Sequence, residues 1–317
     1  MLYTEIAGRK VSAMSLGTVQ LGMNYGIANR EGKPGRDKSF AILSAAVEEG
    51  ITAIDTARAY GDSEEVIGSW FKAHPGLAEK LFVTTKLSAG LPGGSSASDV
   101  EKAMTASVET SLLNLGLRKV NCLMLHNAAD MITHGPAVAA AMRHLVARGL
   151  TDMAGVSVYH PHEIDTVLKD DIYRAVQLPM SVFDLRFLKS GALERLQAAN
   201  IHIFVRSVFF QGLLFLDPQS VEDPDLVRFA VPYIKKLNQL SQNSGMGAAQ
   251  FAVTFLRDIK GIASLVLGAD NPAQVKQNSA LFDSPAMDAG LRLEAENAFA
   301  AVDYPGIMSV LSRPKQQ

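Results

Sequence analysis

The sequence predicts a (β/α)8 barrel, and three observations support this fold class. Short apolar runs typical of strands alternate with longer segments whose apolar residues have helical spacing. Eight such strand–helix units fit into 317 residues, a length that α/β barrels reach as one unit. No change in composition divides the chain, so we expect a single domain over residues 1–317. The competing arrangement is a doubly wound open sheet, which favours an early GxGxxG turn, and no such turn is found.

The predicted strands are short and apolar, and helices separate them, which indicates a parallel sheet with crossover connections. The first segment of the chain, 2–6 and 10–12 around Ala7 and Gly8, reads as a hairpin outside the barrel. The eight barrel strands are predicted at 14–16, 51–54, 81–85, 120–125, 153–158, 175–178, 201–205 and 263–267.

The predicted helices are bounded by recognisable start and stop residues. Gly50 and Gly149 end two of them, and Ser63 and Ser190 are candidate N-caps. The helix at 98–115 follows a Gly- and Ser-rich loop at 89–98. The helices are predicted at 38–49, 63–73, 98–115, 136–148, 161–168, 191–199, 225–244, 248–259 and 272–282.

The bulk composition narrows the classes of protein. Hydrophobic residues make up 48% of the chain, enough for a large core, and the net charge of −2 shows no basic face for nucleic acid. Cys122 is the one cysteine, so no disulfide can form within the chain, which fits a reducing compartment. No signal peptide and no apolar run long enough to span a membrane is apparent. We therefore expect a cytoplasmic protein.

Polar residues stand where the predicted strands end. In such a barrel the active site lies at the carboxyl ends of the strands, so these side chains converge on one mouth although they are far apart in sequence. From the second strand to the eighth they are Asp55, Lys86, His126, Ser157, Gln177, Arg206 with Ser207, and Gly268.

The segment IDTARAYG, residues 54–61, adds a tyrosine to this set at Tyr60. A lysine cation close to a phenol stabilises the phenolate, and an acid beside the lysine keeps it charged and oriented. A histidine can hydrogen-bond the same substrate oxygen. Such a phenol can protonate a developing alkoxide, which suits hydride transfer to a carbonyl. The set lacks the two- or three-His pattern of a hydrolytic metal site.

With these residues in place, the sequence resembles the aldo-keto reductase superfamily over nearly the whole chain. The matching motifs come in the family's order, and together they are far more specific than any one alone. They are SLGTVQLG (15–22), GITAIDTARAYGDSEEVIGSW (50–70), VTTKL (83–87), LMLHNAAD (123–130), GVSVYHPHEI (155–164), QLPMSVFD (177–184), VRSVFFQGLL (205–214) and VLGADNPAQVKQN (266–278).

The resemblance implies a catalytic set and an extended nicotinamide cofactor across the barrel mouth. Tyr60 would be the general acid, Lys86 and Asp55 would tune it, and His126 would orient the carbonyl oxygen. NADPH is the expected cofactor, with NADH as the alternative, and no metal is implied. The implied cofactor-binding residues are Gly17, Thr18, Asp55, Ser157, Gln177, Arg206, Ser207, Val208, Gly212, Gly268, Asp270, Gln274 and Asn278.

The match departs from the family pattern at three places. Val158 replaces the Asn that commonly pairs with Ser157, and Arg206 replaces an aromatic residue that stacks on the nicotinamide. A guanidinium can also stack but adds a positive charge, which would disfavour the oxidised cofactor and favour reduction. After the eighth strand only Lys276 is basic, and its register does not suit the pocket for the ribose 2′-phosphate.

Several alternatives stay open. The protein could be a cofactor-binding regulatory subunit with weak reductase activity, as in the potassium-channel β-subunit branch of the superfamily, or a barrel enzyme of unrelated chemistry such as an isomerase.

His160 and His162 are interpreted as loop residues, and Cys122 as a buried thiol. The loop 26–37 is predicted to be specific for a substrate or partner. Because the C-terminal tail is short, we expect a pocket that is open or covered by the 213–225 loop. The substrate is not identified, and neither is the oligomeric state.

Overall fold

The computed structural model describes residues 1–27, 29, 31–87, 90 and 92–313. The predicted loops at 26–37 and 89–98 and the C-terminal tail therefore lie partly outside the described residues. Eight parallel strands close into a barrel in chain order, and the last strand pairs with the first. The predicted (β/α)8 barrel with an N-terminal hairpin is confirmed. The barrel strands are β3 (Met14–Gly17), β4 (Ala53–Asp55), β5 (Phe82–Leu87), β6 (Val120–Leu125), β7 (Thr151–Ser157), β8 (Tyr173–Pro179), β9 (His202–Arg206) and β10 (Ile262–Gly268).

The N-terminal hairpin covers the end of the barrel at which the strands begin. Its strands β1 (Tyr3–Ile6) and β2 (Arg9–Ser12) pair antiparallel. The turn places Ala7 and Gly8 at positive φ (49° and 72°), as the tight two-residue hairpin turn requires. Ile6 and Val11 of the hairpin are fully buried against the inward-facing residues of the barrel strands. The opposite end, at the carboxyl ends of the strands, is left for the site.

Helices form the outer layer. They are α1 (Val19–Gly22), α2 (Arg36–Glu48), α3 (Ser63–Ala73), α4 (Ala97–Leu115), α5 (Ala129–His134), α6 (Pro136–Ala147), α7 (Ile164–Val167), α8 (Arg186–Lys189), α9 (Ala192–Ala198), α10 (Pro224–Phe229), α11 (Val231–Asn243), α12 (Ala248–Arg257), α13 (Pro272–Ala280), α14 (Ala289–Ala298) and α15 (Tyr304–Leu311). Short 3₁₀ turns lie at Pro161–Glu163, Phe210–Phe215 and Leu281–Asp283.

The strands are buried on both faces, as parallel strands between two layers must be. In β6, Leu123 and Leu125 pack outward against the helices, whereas Cys122 and Met124 pack inside the barrel. The strand register then determines how far along the barrel axis each polar residue lies. Gly17 is level with Asp55 on one side and with Gly268 on the other, so these three lie at the same carboxyl edge.

Three local expectations are corrected. Ser63 is the first helical residue rather than the cap, which is Asp62, because the Ser63 hydroxyl is hydrogen-bonded to Thr18. The cap of α9 is Gly191, with Ser190 one residue earlier. The helix predicted at 225–244 is two helices that meet at Ala230, because a proline, which lacks an amide hydrogen, occupies the first turn of α11.

Candidate active site

A cavity of about 700 Å³ opens at the carboxyl ends of the strands. Its volume lies within the range of small-molecule and cofactor pockets, about 300–1,000 Å³. The predicted site residues that line it are Gly17, Thr18, Asp55, Tyr60, His126, Ser157, Gln177, Arg206, Ser207, Val208, Gly212, Gly268, Asp270, Gln274 and Asn278. Lys86 lies just beneath the cavity surface, 1% exposed. The structure thus brings together every residue that the sequence placed at the site, and their roles remain predictions.

A buried ion pair forms the base of this cavity. The Lys86 Nζ donates to Asp55 Oδ1 at 2.6 Å and to the Thr56 carbonyl oxygen at 3.0 Å. The other carboxylate oxygen of Asp55 accepts from Gln177 Nε2 at 2.7 Å. Asp55 is 4% exposed, so this ion pair is shielded from water and has both charges matched by hydrogen bonds.

Tyr60 lies beside the ion pair of Lys86 and Asp55. Its hydroxyl oxygen lies 3.4 Å from Lys86 Nζ, and the ammonium also lies 4.9 Å from the centre of its ring. The turn that carries it packs closely on α1: a β-carbon built on Gly22 would lie 1.7 Å from the Tyr60 carbonyl oxygen. Only glycine fits at this contact, and it fixes where the phenol enters the cavity.

The charge state of Lys86 follows from its surroundings. Burial lowers the pKa of the Lys86 ammonium, but the Asp55 carboxylate and the Tyr60 oxygen outweigh burial and raise that pKa above its ordinary value. The hydrogen bonds to Asp55 and to the Thr56 carbonyl oxygen favour the charged form of the ammonium. Lys86 is therefore a permanent cation at neutral pH, next to the tyrosine hydroxyl.

His126 faces Tyr60 across the cavity. The two ring centres lie 5.6 Å apart at 85°, an edge-on contact, and the His126 amide donates to the Leu87 carbonyl oxygen at 2.6 Å. Burial first, and then the Lys86 cation, lower the pKa of the imidazole to about 4. His126 is thus neutral at physiological pH and can donate a hydrogen bond without carrying charge.

Arg206 and Val158 show how the site accommodates its departures from the family pattern. Arg206 Nη2 donates to the Val158 carbonyl oxygen at 3.2 Å, and its guanidinium lies 4.3 Å from the centre of the Tyr159 ring. The Val158 side chain is fully buried in the hydrophobic core. At this position the chain supplies a backbone oxygen that holds Arg206, while Ser157 lines the cavity.

Two buried oxygens at the cavity have no hydrogen-bond partner among the described residues. They are the side-chain Oε1 atoms of Gln177 and Gln20, and both residues line the cavity. A buried acceptor without a donor is costly, so a ligand that donates hydrogen bonds would stabilise both. A β-carbon on Gly268 would lie 2.1 Å from Gln20 Nε2, so the glycine makes room for this glutamine.

The segment after β9 lines the cavity in a strained conformation. Ser207, Phe210 and Gln211 have positive φ values of 64°, 51° and 58°. Such conformations in residues other than glycine cost of order 1–3 kcal/mol each and are concentrated at functional sites. The Gln211 carbonyl oxygen accepts from the Ile27 amide at 2.9 Å, which ties this segment to the loop after α1.

Several lining residues were not predicted from the sequence. They are Gln20 in the short helix α1, and Asn29 and Gln211 in loops or turns, and their positions depend on tertiary contacts. Phe215 of the predicted covering loop at 213–225 does line the cavity, and Tyr304 and Met308 of α15 line it as well, which the sequence did not indicate. The Pro and the Asp303 cap that begin α15 were the available sequence signal for this helix.

No alternative metal centre emerges in the part of the chain that the structure describes. No three His, Cys, Asp or Glu side chains there are grouped so as to hold a metal ion. The rings of His160 and His162 stack on each other, with their centres 5.4 Å apart.

Cys122 is fully buried, as predicted, and burial raises the pKa of its thiol. Among the described residues, no helix is long and apolar enough to cross a membrane.

Comparison with known proteins agrees with this geometry. The model of the aldo/keto reductase family matches residues 13–289. L-glyceraldehyde 3-phosphate reductase of Escherichia coli K12 is 26% identical over 306 residues, which cover 87% of this chain and 85% of the relative. Aldo-keto reductase YhdN of Bacillus subtilis is also 26% identical, with 87% of each chain covered.

Solved structures show the same fold. Aldo-keto reductase AKR11C1 from Bacillus halodurans superimposes with a TM-score of 0.77 at 20% identity, covering 94% of this chain and 96% of its own. Glycerol dehydrogenase AKR11B4 from Gluconobacter oxydans also has a TM-score of 0.77, at 22% identity, with 95% and 96% covered. The family match over most of the barrel leads to one conclusion: this chain belongs to the aldo/keto reductase family and is an oxidoreductase that acts on carbonyl or alcohol groups.

Proposed function

We propose that this protein reduces an aldehyde or ketone to an alcohol with NAD(P)H, and that Tyr60 is the proton donor. The observation that carries the proposal is the 3.4 Å approach of the Tyr60 hydroxyl to the buried Lys86 ammonium at a cavity of cofactor size. A reduced nicotinamide, when bound, supplies the hydride that reaches the carbonyl carbon.

The described residues meet the needs of the carbonyl oxygen, which gains negative charge during reduction. Tyr60 gives its proton to that oxygen, and the nearby Lys86 cation stabilises the phenolate left behind. Asp55 holds Lys86 in place and charged. His126, neutral at working pH, donates a hydrogen bond to the same oxygen without a competing proton transfer.

The polar groups that line the cavity support a nicotinamide dinucleotide as its ligand. The unpartnered Gln177 Oε1 can accept from a carboxamide, and Ser157 lies on the neighbouring strand, level with Gln177. Gly17 and Gly268 are paired in register on β3 and β10, and both line the cavity at the carboxyl edge of the barrel. We assign cofactor contacts also to Thr18, Ser207, Val208 and Gly212, which line the same cavity.

Arg206 bears on the direction of the reaction. Its charge would lie near the nicotinamide ring, which is cationic when oxidised and neutral when reduced. A fixed cation disfavours the oxidised ring, so reduction is the proposed working direction. Equilibrium titration with both cofactor forms tests this, and tighter binding of the oxidised form would argue against it.

The test is the rate of NAD(P)H consumption with a reactive aromatic aldehyde. We expect wild-type protein to turn over and Tyr60→Phe to lose at least about a hundredfold in kcat, with cofactor binding unchanged. Tyr159→Phe is the matched control, because Tyr159 lines the same cavity and contacts Arg206 rather than Lys86. Equal activity of wild type and Tyr60→Phe would exclude the phenol as proton donor. Cofactor binding without turnover across a panel of carbonyl compounds would favour the regulatory-subunit alternative.

A further inference from the structure

We infer that the cavity accepts NADH in preference to NADPH, and that Asp270 is the residue that sets this preference. The inference rests on the proposed use of a nicotinamide cofactor and specifies which one. The two cofactors differ by one phosphate on the adenosine ribose, which carries a charge of about −1.5 to −2 at neutral pH. A cavity that selects NADPH must supply positive charge or several hydrogen-bond donors to that phosphate.

The charged side chains that line the cavity do not supply positive charge for a 2′-phosphate. Among the described lining residues, the acids are Asp55, Asp184 and Asp270, and the base is Arg206. Arg206 is held at the end of β9 by the Val158 oxygen and the Tyr159 ring. Asp55 and Asp184 already have cationic partners in Lys86 and Arg186. Asp270 forms no ion pair with another described residue; it accepts a hydrogen bond from Asn29 at 3.4 Å, and its charge is negative.

The location of Asp270 places it at the adenosine end. The reactive group of Asp55, Tyr60 and Gln177 lies on the barrel side of the cavity. From there the cavity extends outward along β10 to α13, which packs against α2 in the outer layer of helices. A dinucleotide with its nicotinamide near Tyr60 therefore brings its other ribose towards α13, where Asp270 lies.

The first turn of α13 is occupied by contacts within the chain. Asn271 accepts from the Gln274 amide at 2.9 Å, and the Gln274 side-chain oxygen accepts from the Asp270 amide at 2.7 Å. Pro272 has no amide hydrogen to offer. A helix N-terminus binds phosphate through free amide groups; here the Gln274 amide is occupied and Pro272 lacks one, so fewer amides are left for a phosphate.

The basic residues near this end are engaged or point elsewhere. Lys38 forms an ion pair with Glu31. Lys276 is exposed and does not line the cavity. Asp270 is itself half-buried, and burial raises the pKa of its carboxyl group, so the carboxylate already lacks full solvation. A phosphate beside it would add repulsion, whereas a ribose 2′-hydroxyl can donate a hydrogen bond to it, as ribose does to acids in dinucleotide-binding folds.

The experiment is a fluorescence titration of the full-length protein with NADH and with NADPH at one ionic strength. We expect wild type to bind NADH at least about tenfold more tightly, equivalent to about 1.4 kcal/mol. Asp270→Asn should bring the two dissociation constants closer together, and Asp270→Lys should reverse their order. Lys276→Ala is the matched control in the same helix and should leave the ratio unchanged.

Equal or tighter binding of NADPH by wild type would overturn the inference. Arg30 lies outside the described residues and stands next to Asn29, whose side chain donates to Asp270 at 3.4 Å, so Arg30→Ala is titrated as well. A NADPH preference that disappears in Arg30→Ala would assign phosphate recognition to that arginine and contradict the role given to Asp270. Failure to bind either nucleotide would instead count against the proposed function.

Discussion

Replacing Lys86 by methionine should abolish activity and destabilise the protein for two separable reasons. The substitution keeps the length of the side chain but removes its charge. The ammonium lies 3.4 Å from the Tyr60 oxygen, and a unit charge at this distance stabilises a phenolate by about 5 kcal/mol at an effective dielectric constant of about 20. Because each 1.36 kcal/mol corresponds to about tenfold in rate, we expect kcat/KM to fall by roughly three to four orders of magnitude.

The stability loss has a different origin. Asp55 is 4% exposed in the intact protein, and once Lys86 is removed its carboxylate keeps, among the described residues, the hydrogen bond from Gln177. Leaving one member of a buried ion pair without its partner costs about 3–5 kcal/mol. The free energy of unfolding, measured by urea denaturation, should fall by about this amount.

A double variant separates the two effects. Asp55→Asn with Lys86→Met removes both charges, so it should recover most of the lost stability and still lack activity. Parallel urea denaturation and NAD(P)H consumption measure both quantities on the same preparations. Lys86→Met activity within tenfold of wild type would refute the electrostatic role of Lys86, and a double variant as unstable as the single one would refute the buried-charge account.

Three further predictions concern pH, packing and thiol reactivity. Folding lowers the pKa of His126 from 6.5 to about 4, so protons bind the unfolded chain more tightly. The free energy of unfolding should therefore fall by at most about 3 kcal/mol as the pH drops from 6.5 towards 4. Urea denaturation of wild type and His126→Gln across this range measures the difference, and an identical pH profile for both proteins would contradict it. Gly22→Ala should lower the free energy of unfolding by about 3 kcal/mol or more and reduce activity, because its methyl group would overlap the Tyr60 carbonyl oxygen, whereas the exposed control Gly93→Ala should change neither. Cys122 should react with iodoacetamide only after denaturation, because its thiol is fully buried and its pKa is raised, and rapid labelling of the native protein would show otherwise.

The strand ends were predictable from the sequence because parallel strands impose a common direction. Asp55, Gln177 and Gly268 follow apolar runs, and the barrel necessarily gathers the carboxyl ends of those runs at one mouth. The hairpin turn at Ala7 and Gly8 was predictable for a similarly local reason.

The remainder depends on contacts between distant segments. Ser63 has the chemistry of a helix cap, but its hydroxyl is hydrogen-bonded to Thr18 across the barrel edge. Gln20 lines the cavity because Gly268, far away in sequence, leaves space for it. The contribution of Tyr304 depends on where α15 packs, which no local pattern specifies. Hydrophobic periodicity locates elements, and tertiary packing decides which loop or terminal residues reach a cavity.

The most direct test of the central claim follows the hydrogen that is transferred. The protein is incubated with an aromatic aldehyde and reduced nicotinamide cofactor carrying deuterium at both C4 positions, because only one of the two is transferred, and the alcohol is analysed by mass spectrometry. Direct hydride transfer predicts one deuterium on the carbinol carbon. In the control, with unlabelled cofactor in deuterated water, it predicts no deuterium on that carbon. Deuterium reaching that carbon from the water, or an alcohol formed without label from the cofactor, would contradict the account.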